Sequence, residues 1–142
     1  MRVSAKGEYA IRAVLDLAMR RGRELVPIQA IAARQGIPQR YLEQVLLALK
    51  RAGLLVSKRG AAGGYHLARA PEAITVGDVL RAVEGRPSFD AVSTAGRNGG
   101  AAELAELWDE IAEAVERVVD RWTVAELVER AHERRSPARY HI

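Results

Sequence analysis

One stretch of the chain, from Ile37 to Leu67, constrains the fold more than any other. It begins with apolar residues at three- and four-residue spacing, which predicts a helix ending at the Ala52-Gly53 pair, since glycine commonly terminates helices. Two short runs with β propensity follow, Leu54–Ser57 and Tyr65–Leu67, joined by a basic, glycine-rich loop at 58–64. A basic helix followed by a basic hairpin is typical of a winged helix-turn-helix that binds DNA.

The distribution of charge supports a polyanionic partner. The chain has 142 residues, about the size of one domain, and a net charge of +4. Residues 1–70 hold 13 Lys and Arg against 4 Asp and Glu, a net charge of +9. Residues 71–142 hold 9 against 14, a net charge of −5. This asymmetry suits a basic half that contacts nucleic acid and an acidic half that stays away from it.

Several classes of protein are excluded by what the sequence lacks. There is no cysteine, so disulfides, thiolate metal sites and a cysteine nucleophile cannot form. No run approaches the ~18 apolar residues of a membrane span, and the N-terminus has no signal-peptide pattern. We therefore expect a soluble, cytoplasmic protein without membrane contact. No catalytic set, phosphate loop or metal cluster emerges, so an enzyme is not expected.

Two further helices are predicted ahead of the central stretch. An apolar first helix follows Ser4, a loose N-cap signal, and ends near Arg20. Pro27 favours the start of a short second helix, which Gly36 terminates. Two helices separated by glycine and about three residues, the second longer and more basic, match helix-turn-helix spacing. Any small helical hairpin is the alternative.

The predicted third helix has an outward face suited to reading bases. Arg40 can pair with guanine, Gln39 and Gln44 with adenine, and Glu43 can accept from the cytosine amino group. Two roles for Tyr41 stay open, packing within the protein and a contact with a phosphate, and the phosphate contact is slightly favoured.

The glycine-rich loop can approach DNA closely because glycine has no side chain. Arg59 at its tip suits the negative minor groove, while an ordinary flexible hairpin is the alternative. The full set of candidate DNA-binding residues is Ser4, Lys6, Gln29, Gln39, Arg40, Tyr41, Glu43, Gln44, Ser57, Lys58, Arg59, Gly60, Gly63 and Gly64.

The second half of the sequence predicts three more helices, one of them long and amphipathic. Thr75 is a good N-cap for a helix over Val76–Glu84, and residues 88–100 form a loop that either connects or binds a partner. A long amphipathic helix begins at Ala101, and a capping box at Thr123 starts a last helix. The long helix is expected to mediate dimerisation, with intramolecular packing as the alternative. The candidate dimerisation residues are Leu104, Leu107, Trp108, Ile111, Val115, Val118, Val119 and Trp122.

Five segments of the chain resemble the Rrf2 family of bacterial transcription regulators, which includes the iron–sulfur cluster assembly regulator and the cysteine-metabolism repressors. The segments are Ser4-Ala-Lys-Gly-Glu-Tyr-Ala, Ile37-Pro-Gln-Arg-Tyr-Leu-Glu-Gln, Arg51-Ala-Gly-Leu, Lys58-Arg-Gly-Ala-Ala-Gly-Gly-Tyr and Ile74-Thr-Val-Gly-Asp-Val-Leu-Arg-Ala-Val-Glu-Gly. The resemblance implies a homodimer on a palindromic operator, with the recognition helix in the major groove and the wing in the minor groove. It places Tyr41, Glu43 and Gln44 on the recognition helix and Arg59 on the wing.

Three features depart from this family's pattern. Ala61-Ala62 stand where the wing usually has a Pro-Gly pair, and Pro38-Gln39-Arg40 differs from serine-containing versions. Cluster-sensing members place three cysteines in the loop corresponding to 88–100, where this chain has none. The three histidines, His66, His132 and His141, offer no ligand spacing. We therefore expect no metal and no cofactor. The regulator is expected to respond to a small molecule or to a partner protein, or to no signal at all.

The sequence thus predicts a mainly α fold with a small β wing, a winged helix-turn-helix followed by a long dimerisation helix. The expected units are a DNA-binding domain at 1–85, a loop at 86–100 and a dimerisation region at 101–142. The expected function is sequence-specific DNA binding by a homodimeric transcription regulator, a repressor without an iron–sulfur cluster. The alternative is a protein–protein adaptor that binds an enzyme through the 88–100 loop and the acidic helix.

Overall fold

The computed structural model describes residues 4–20, 24–85 and 102–135. Within these ranges the fold is mainly helical, with one antiparallel hairpin and a short 3-10 helix at Pro71–Ala73. This confirms the predicted fold class, and none of the described helices is long and apolar enough to cross a membrane. The elements are α1 (Ala5–Met19), α2 (Ile28–Gln35), α3 (Gln39–Arg51), β1 (Leu55–Lys58), β2 (Gly64–Leu67), α4 (Val76–Glu84), α5 (Ala102–Arg121) and α6 (Val124–Arg134).

Local capping signals place the helix ends. The Ser4 hydroxyl accepts from the Gly7 amide at 3.1 Å and begins α1, so the weak N-cap signal is confirmed. Gly36 terminates α2 in the left-handed conformation. Thr75 and Asp78 form a reciprocal capping box at the start of α4, with both hydrogen bonds at 3.0 Å. Because Gly36 ends α2 three residues before α3 begins at Gln39, these two helices have the spacing of a helix-turn-helix.

The inward face of α3 lies at the centre of the hydrophobic core. Its four apolar residues, Leu42, Val45, Leu46 and Leu49, are fully buried. They belong to one cluster with buried residues of α1, α2, α4, α6 and both strands. Burying a leucine contributes about 1.5–3 kcal/mol, so this face fixes the rotation of α3 and directs its opposite face outward.

The hairpin is tied to the helices at its base. Leu55 of β1 lies opposite Leu67 of β2, and Tyr65 exchanges two 2.9 Å backbone hydrogen bonds with Val26, in the segment before α2. Gly64 is required at this contact, because a Cβ there would lie 2.5 Å from the Val26 carbonyl. The two predicted strands are confirmed to within one residue at each end.

Two backbone hydrogen bonds attach the end of α5 to the segment before α4. The Val76 amide donates to the Trp122 carbonyl at 2.9 Å, and the Val124 amide donates to the Ile74 carbonyl at 2.8 Å. Because these bonds lie on either side of the Thr75–Thr123 bridge, they hold the end of α5 in one position relative to α4.

An ion pair accompanies this attachment. Asp120 of α5 accepts from the Arg81 guanidinium of α4 at 2.6 Å, and both side chains are about 34–45% exposed. Gly77 lies under the Asp120 carboxylate, which would have to shift to make room for a Cβ. Exposed ion pairs contribute only ~0–1 kcal/mol, so the backbone hydrogen bonds are the stronger constraint.

Trp122 lies one residue beyond the end of α5, although its spacing continues the apolar stripe of that helix. The helix ends because the Thr123 hydroxyl accepts from the Glu126 amide at 3.1 Å and begins α6. The guanidinium of Arg130 in α6 lies 4.7 Å from the centroid of the Trp122 ring. Trp122 therefore contacts α6 at the end of α5, and its predicted role in dimerisation stays a prediction.

Helix α6 packs into the core of the N-terminal elements. Val124 is 2% exposed within the core cluster, and Arg135 contacts the sulfur of Met19 at 3.5 Å. The predicted limits of the three units remain a proposal, with α6 contributing to the core of the first. The predicted loop at 88–100 lies outside the described residues.

Candidate DNA-binding surface

The outward face of α3 presents polar side chains to solvent. Gln39, Arg40, Tyr41, Glu43 and Gln44 are all exposed. Among the described residues, none forms an ion pair or side-chain hydrogen bond with Arg40, Glu43 or Gln44. Because the other face of the helix is buried, these three side chains share one fixed direction, and their polar ends are available to a ligand.

Tyr41 packs against α1 while it stays partly exposed. Its ring meets the Tyr9 ring edge-on, with centroids 5.4 Å apart, and 37% of Tyr41 is accessible. The guanidinium of Arg12 lies 5.6 Å from the centroid of the Tyr9 ring. Packing, one of the two roles predicted for Tyr41, is therefore observed, and its phosphate contact stays a prediction.

A cleft of about 570 Å³ lies between the start of α2, the end of α3 and the wing, which is the hairpin of β1 and β2. We call it the wing cleft. Lys50 contributes a cationic side chain that the sequence prediction missed, because only the fold of the hairpin brings the last turn of α3 beside the wing. The predicted residues that line this cleft are Gln29, Ser57, Lys58, Arg59, Gly60, Gly63 and Gly64. Three cations around one concave surface form a site suited to phosphate groups.

The tip of the wing closes in a tight turn. The Gly63 amide donates to the Gly60 carbonyl at 3.0 Å, and Gly60 has a φ of 109°. Ala61 and Ala62 complete the turn and are exposed, so a Pro-Gly pair is not needed for closure. Arg59 is exposed beside this turn, where its guanidinium can reach beyond the hairpin.

The remaining predicted residues lie at the start of α1. Ser4 is exposed at the N-cap, and Lys6 is half-buried in the first turn. Neither lines the wing cleft. They lie instead on the helix that contacts α3 through the Tyr9–Tyr41 pair.

Helix α2 is positioned by a buried carboxylate in α1 that sequence reasoning missed. Asp16, 4% exposed, accepts from Arg34 Nε at 3.0 Å, Arg34 Nη2 at 2.8 Å and Gln35 Nε2 at 3.1 Å. Arg12 also donates to the Gln35 carbonyl. Burial alone would raise the pKa of Asp16, but the hydrogen bonds from Arg34 and Gln35 and the charges of Arg34 and Arg20 lower it overall.

The apolar stripe of α5 has no complete cover within the described chain. No residue of this helix is buried, and Leu104, Leu107 and Val118 are 45%, 45% and 46% exposed. The other predicted residues of the stripe within the helix are half-buried: Trp108, Ile111, Val115 and Val119. A helix with this exposed stripe is suited to pairing with another apolar surface.

Comparison with known proteins identifies the family. A model of the Rrf2 family, described as an iron-dependent transcriptional regulator, matches residues 3–130. The chain belongs to the Rrf2 family. It is 41% identical over 132 residues to the HTH-type transcriptional regulator IscR of Erwinia tasmaniensis, covering 90% of this chain and 79% of that protein.

Solved structures agree with this Rrf2 assignment. T. potens IscR superposes with a TM-score of 0.78 at 38% identity, covering 94% of this chain and 90% of that one. CymR, the global cysteine regulator of B. subtilis, superposes with a TM-score of 0.77 at 35% identity, covering 91% and 97%. The chain is therefore a winged-helix transcription regulator.

The side chains of this Rrf2 member do not fit an iron site built on thiolates. The whole chain contains no cysteine. Within residues 4–20, 24–85 and 102–135, no three His, Asp or Glu side chains are grouped so that they could hold a metal ion. An iron site held by thiolates therefore has no ligands in this chain.

Proposed function

We propose that this Rrf2 regulator binds a pseudo-palindromic operator as a homodimer and represses transcription without an iron–sulfur cluster. The observation that carries the proposal is the outward face of α3, where Arg40, Glu43 and Gln44 are exposed without an intramolecular partner among the described residues. Their types match the donors and acceptors of base edges in the major groove. A dimer of this size would repress by occupying promoter DNA.

The wing cleft supports a role in holding the DNA backbone. Lys50, Lys58 and Arg59 surround a concave surface beside the recognition helix, α3. Phosphate contacts of this kind fix the protein's position on the duplex, whereas base contacts give specificity. We assign Arg59 to the minor groove, whose negative potential attracts guanidinium groups.

The exposed stripe of α5 supports pairing of two copies. The helix has 20 residues, so it is about 30 Å long, enough for an extended seam. Its attachment to Ile74 and Val76 would transmit the geometry of the seam to the recognition helices. We expect the two copies of α3 to lie about 34 Å apart, one turn of DNA.

The missing cysteines support regulation by another route. A thiolate-bound cluster cannot form in a chain without cysteine. The effector, where one acts, is then a small molecule or a partner protein. We propose no enzymatic role, in keeping with relatives that are named transcription regulators.

An operator selected from random duplexes with the full chain tests this function by gel shift. Arg59→Ala removes one contact from each half-site, so it should weaken binding by the dimer about a hundredfold, the equivalent of two charge-assisted hydrogen bonds of ~1.5 kcal/mol each. Arg134→Ala removes the same charge from an exposed position on α6 and is the matched control. It lies beside Arg135, which contacts Met19 at the end of α1 opposite Ser4. Equal binding by the wild type and Arg59→Ala would refute the assigned role of the wing.

The acidic face of α5 supports one competing function, a protein–protein adaptor, which an experiment must distinguish from a DNA-binding regulator. Glu103, Glu106, Glu110 and Glu113 are exposed, as an adaptor for a basic protein surface would require. An adaptor would retain no DNA fragment even at low salt. A regulator should bind DNA with an affinity that falls steeply as salt rises, because phosphate contacts release counterions.

A further inference from the structure

Leu47 is an apolar side chain on the otherwise polar outward face of α3. It is 44% exposed, whereas Leu46 beside it in sequence is fully buried. Isolated exposed leucines are common on protein surfaces, so exposure alone does not assign a role. The position of Leu47 on the helix carries the argument.

Helical geometry places Leu47 in line with the residues proposed to read bases. It lies seven residues after Arg40, hence about 20° from it around the helix axis and about 10 Å further along. It follows Glu43 and Gln44 by four and three residues, the spacing of neighbouring side chains on one helix face. Leu47 therefore extends the stripe that begins at Arg40, and it is an apolar member of that stripe.

The chemistry of the major groove limits what an apolar side chain can recognise there. Base edges present hydrogen-bond donors and acceptors, together with one apolar group, the C5 methyl of thymine. A leucine can neither donate nor accept a hydrogen bond, so it discriminates between bases through burial of apolar surface alone. A contact with any other base edge would cover polar atoms without satisfying them.

We propose that Leu47 is a specificity-determining residue that packs against a thymine methyl group in each half-site of the operator. This inference rests on the proposed function and adds to it a contact with one specific base, thymine. In register, the thymine would lie next to the bases contacted by Glu43 and Gln44, on the side toward Arg51.

Replacement of thymine by deoxyuridine tests the contact, because it removes only the methyl group. Each thymine of the selected operator is replaced in turn, and binding of the full chain is measured by gel shift. Substitution at the contacted thymine of one half-site should weaken wild-type binding about fourfold, from ~0.8 kcal/mol per buried methyl at 1.4 kcal/mol per tenfold. Substitution in both half-sites should weaken it about fifteenfold. Leu47→Ala should lose this sensitivity at the same position.

Val56→Ala is the matched control, since Val56 is also an apolar residue with 42% exposure but lies on β1. This variant should keep the wild-type response to deoxyuridine. A wild type that binds the operator and responds at no thymine would overturn the inference while leaving the proposed function intact. Equal weakening of the thymine and deoxyuridine operators by Leu47→Ala would also overturn it, because the contact would then not be to the methyl. Failure of the wild type to select any operator would overturn the proposed function itself.

Discussion

Replacing Asp16 by asparagine tests whether a buried carboxylate holds α2, and with it the helix-turn-helix, against α1. The side chain of Asp16 is 4% exposed and accepts three hydrogen bonds, two from Arg34 and one from Gln35. An asparagine of the same shape has one acceptor oxygen, and its amide group would face a guanidinium that also only donates.

The expected loss of stability follows from the exposure of the two partners. Breaking a fully buried ion pair costs about 3–5 kcal/mol, because the remaining charge is left without a partner. Arg34 is 35% exposed, so water partly solvates its guanidinium after the change. We therefore expect Asp16→Asn to lower the free energy of unfolding by about 2 kcal/mol at pH 7.

The pH dependence gives an independent signature of the same interaction. Burial raises the pKa of Asp16, but the Arg34 and Gln35 hydrogen bonds, with the nearby arginine charges, hold it below the ordinary value of 3.8. A carboxylate with a lowered pKa in the folded state contributes stability that is complete above about pH 4–5. That stability is lost as the pH falls through the lower, folded-state pKa.

The assay is urea unfolding of the wild type and Asp16→Asn at one protein concentration, since the proposed dimer would have a stability that depends on concentration. The difference between the two proteins should be constant from pH 7 to about pH 5 and shrink below pH 4. A double-mutant cycle with Arg34→Ala isolates the coupling of this pair. Equal stability at pH 7, or a difference that persists unchanged to pH 2, would refute the reasoning.

Three further predictions concern other parts of the fold. Thr75→Ala should lower the free energy of unfolding by about 1 kcal/mol through loss of the α4 cap, whereas Thr75→Ser should not, as urea unfolding would show. Gly64→Ala should lower it by about 1–3 kcal/mol, because the new Cβ collides with the Val26 backbone; a neutral change would contradict the close approach. Val118→Glu should convert a dimer to a monomer in analytical ultracentrifugation, while Glu103→Gln, on the acidic face, should leave it dimeric.

Local signals in the sequence predicted most of the helix boundaries. Pro27 and Gly36 delimit α2, and the Thr75 capping box begins α4, because each of these residues acts on the backbone within a few positions of itself. The three- and four-residue spacing of α3 predicted its buried face for the same local reason.

The sequence could not reveal contacts between residues that are distant along the chain. Asp16 is a polar residue in an apolar helix, and its partner Arg34 lies 18 positions later with no local signal to connect them. Lys50 reaches the wing cleft only because the hairpin folds back beside α3. Trp122 fits the spacing of the α5 stripe, yet the Thr123 cap ends the helix before it.

The central claim is that the outward face of α3 reads the operator sequence, and a comparison of selected operators tests it most directly. Random duplexes are selected in parallel with the wild type, Gln44→Ala and Gln29→Ala. Gln44→Ala should lose about 1–3 kcal/mol of discrimination at one or two symmetric positions and keep the rest of the operator. Gln29→Ala, which lies in the wing cleft, should weaken binding uniformly without a change of sequence. A uniform loss with Gln44→Ala, at unchanged base preference, would contradict direct readout by α3.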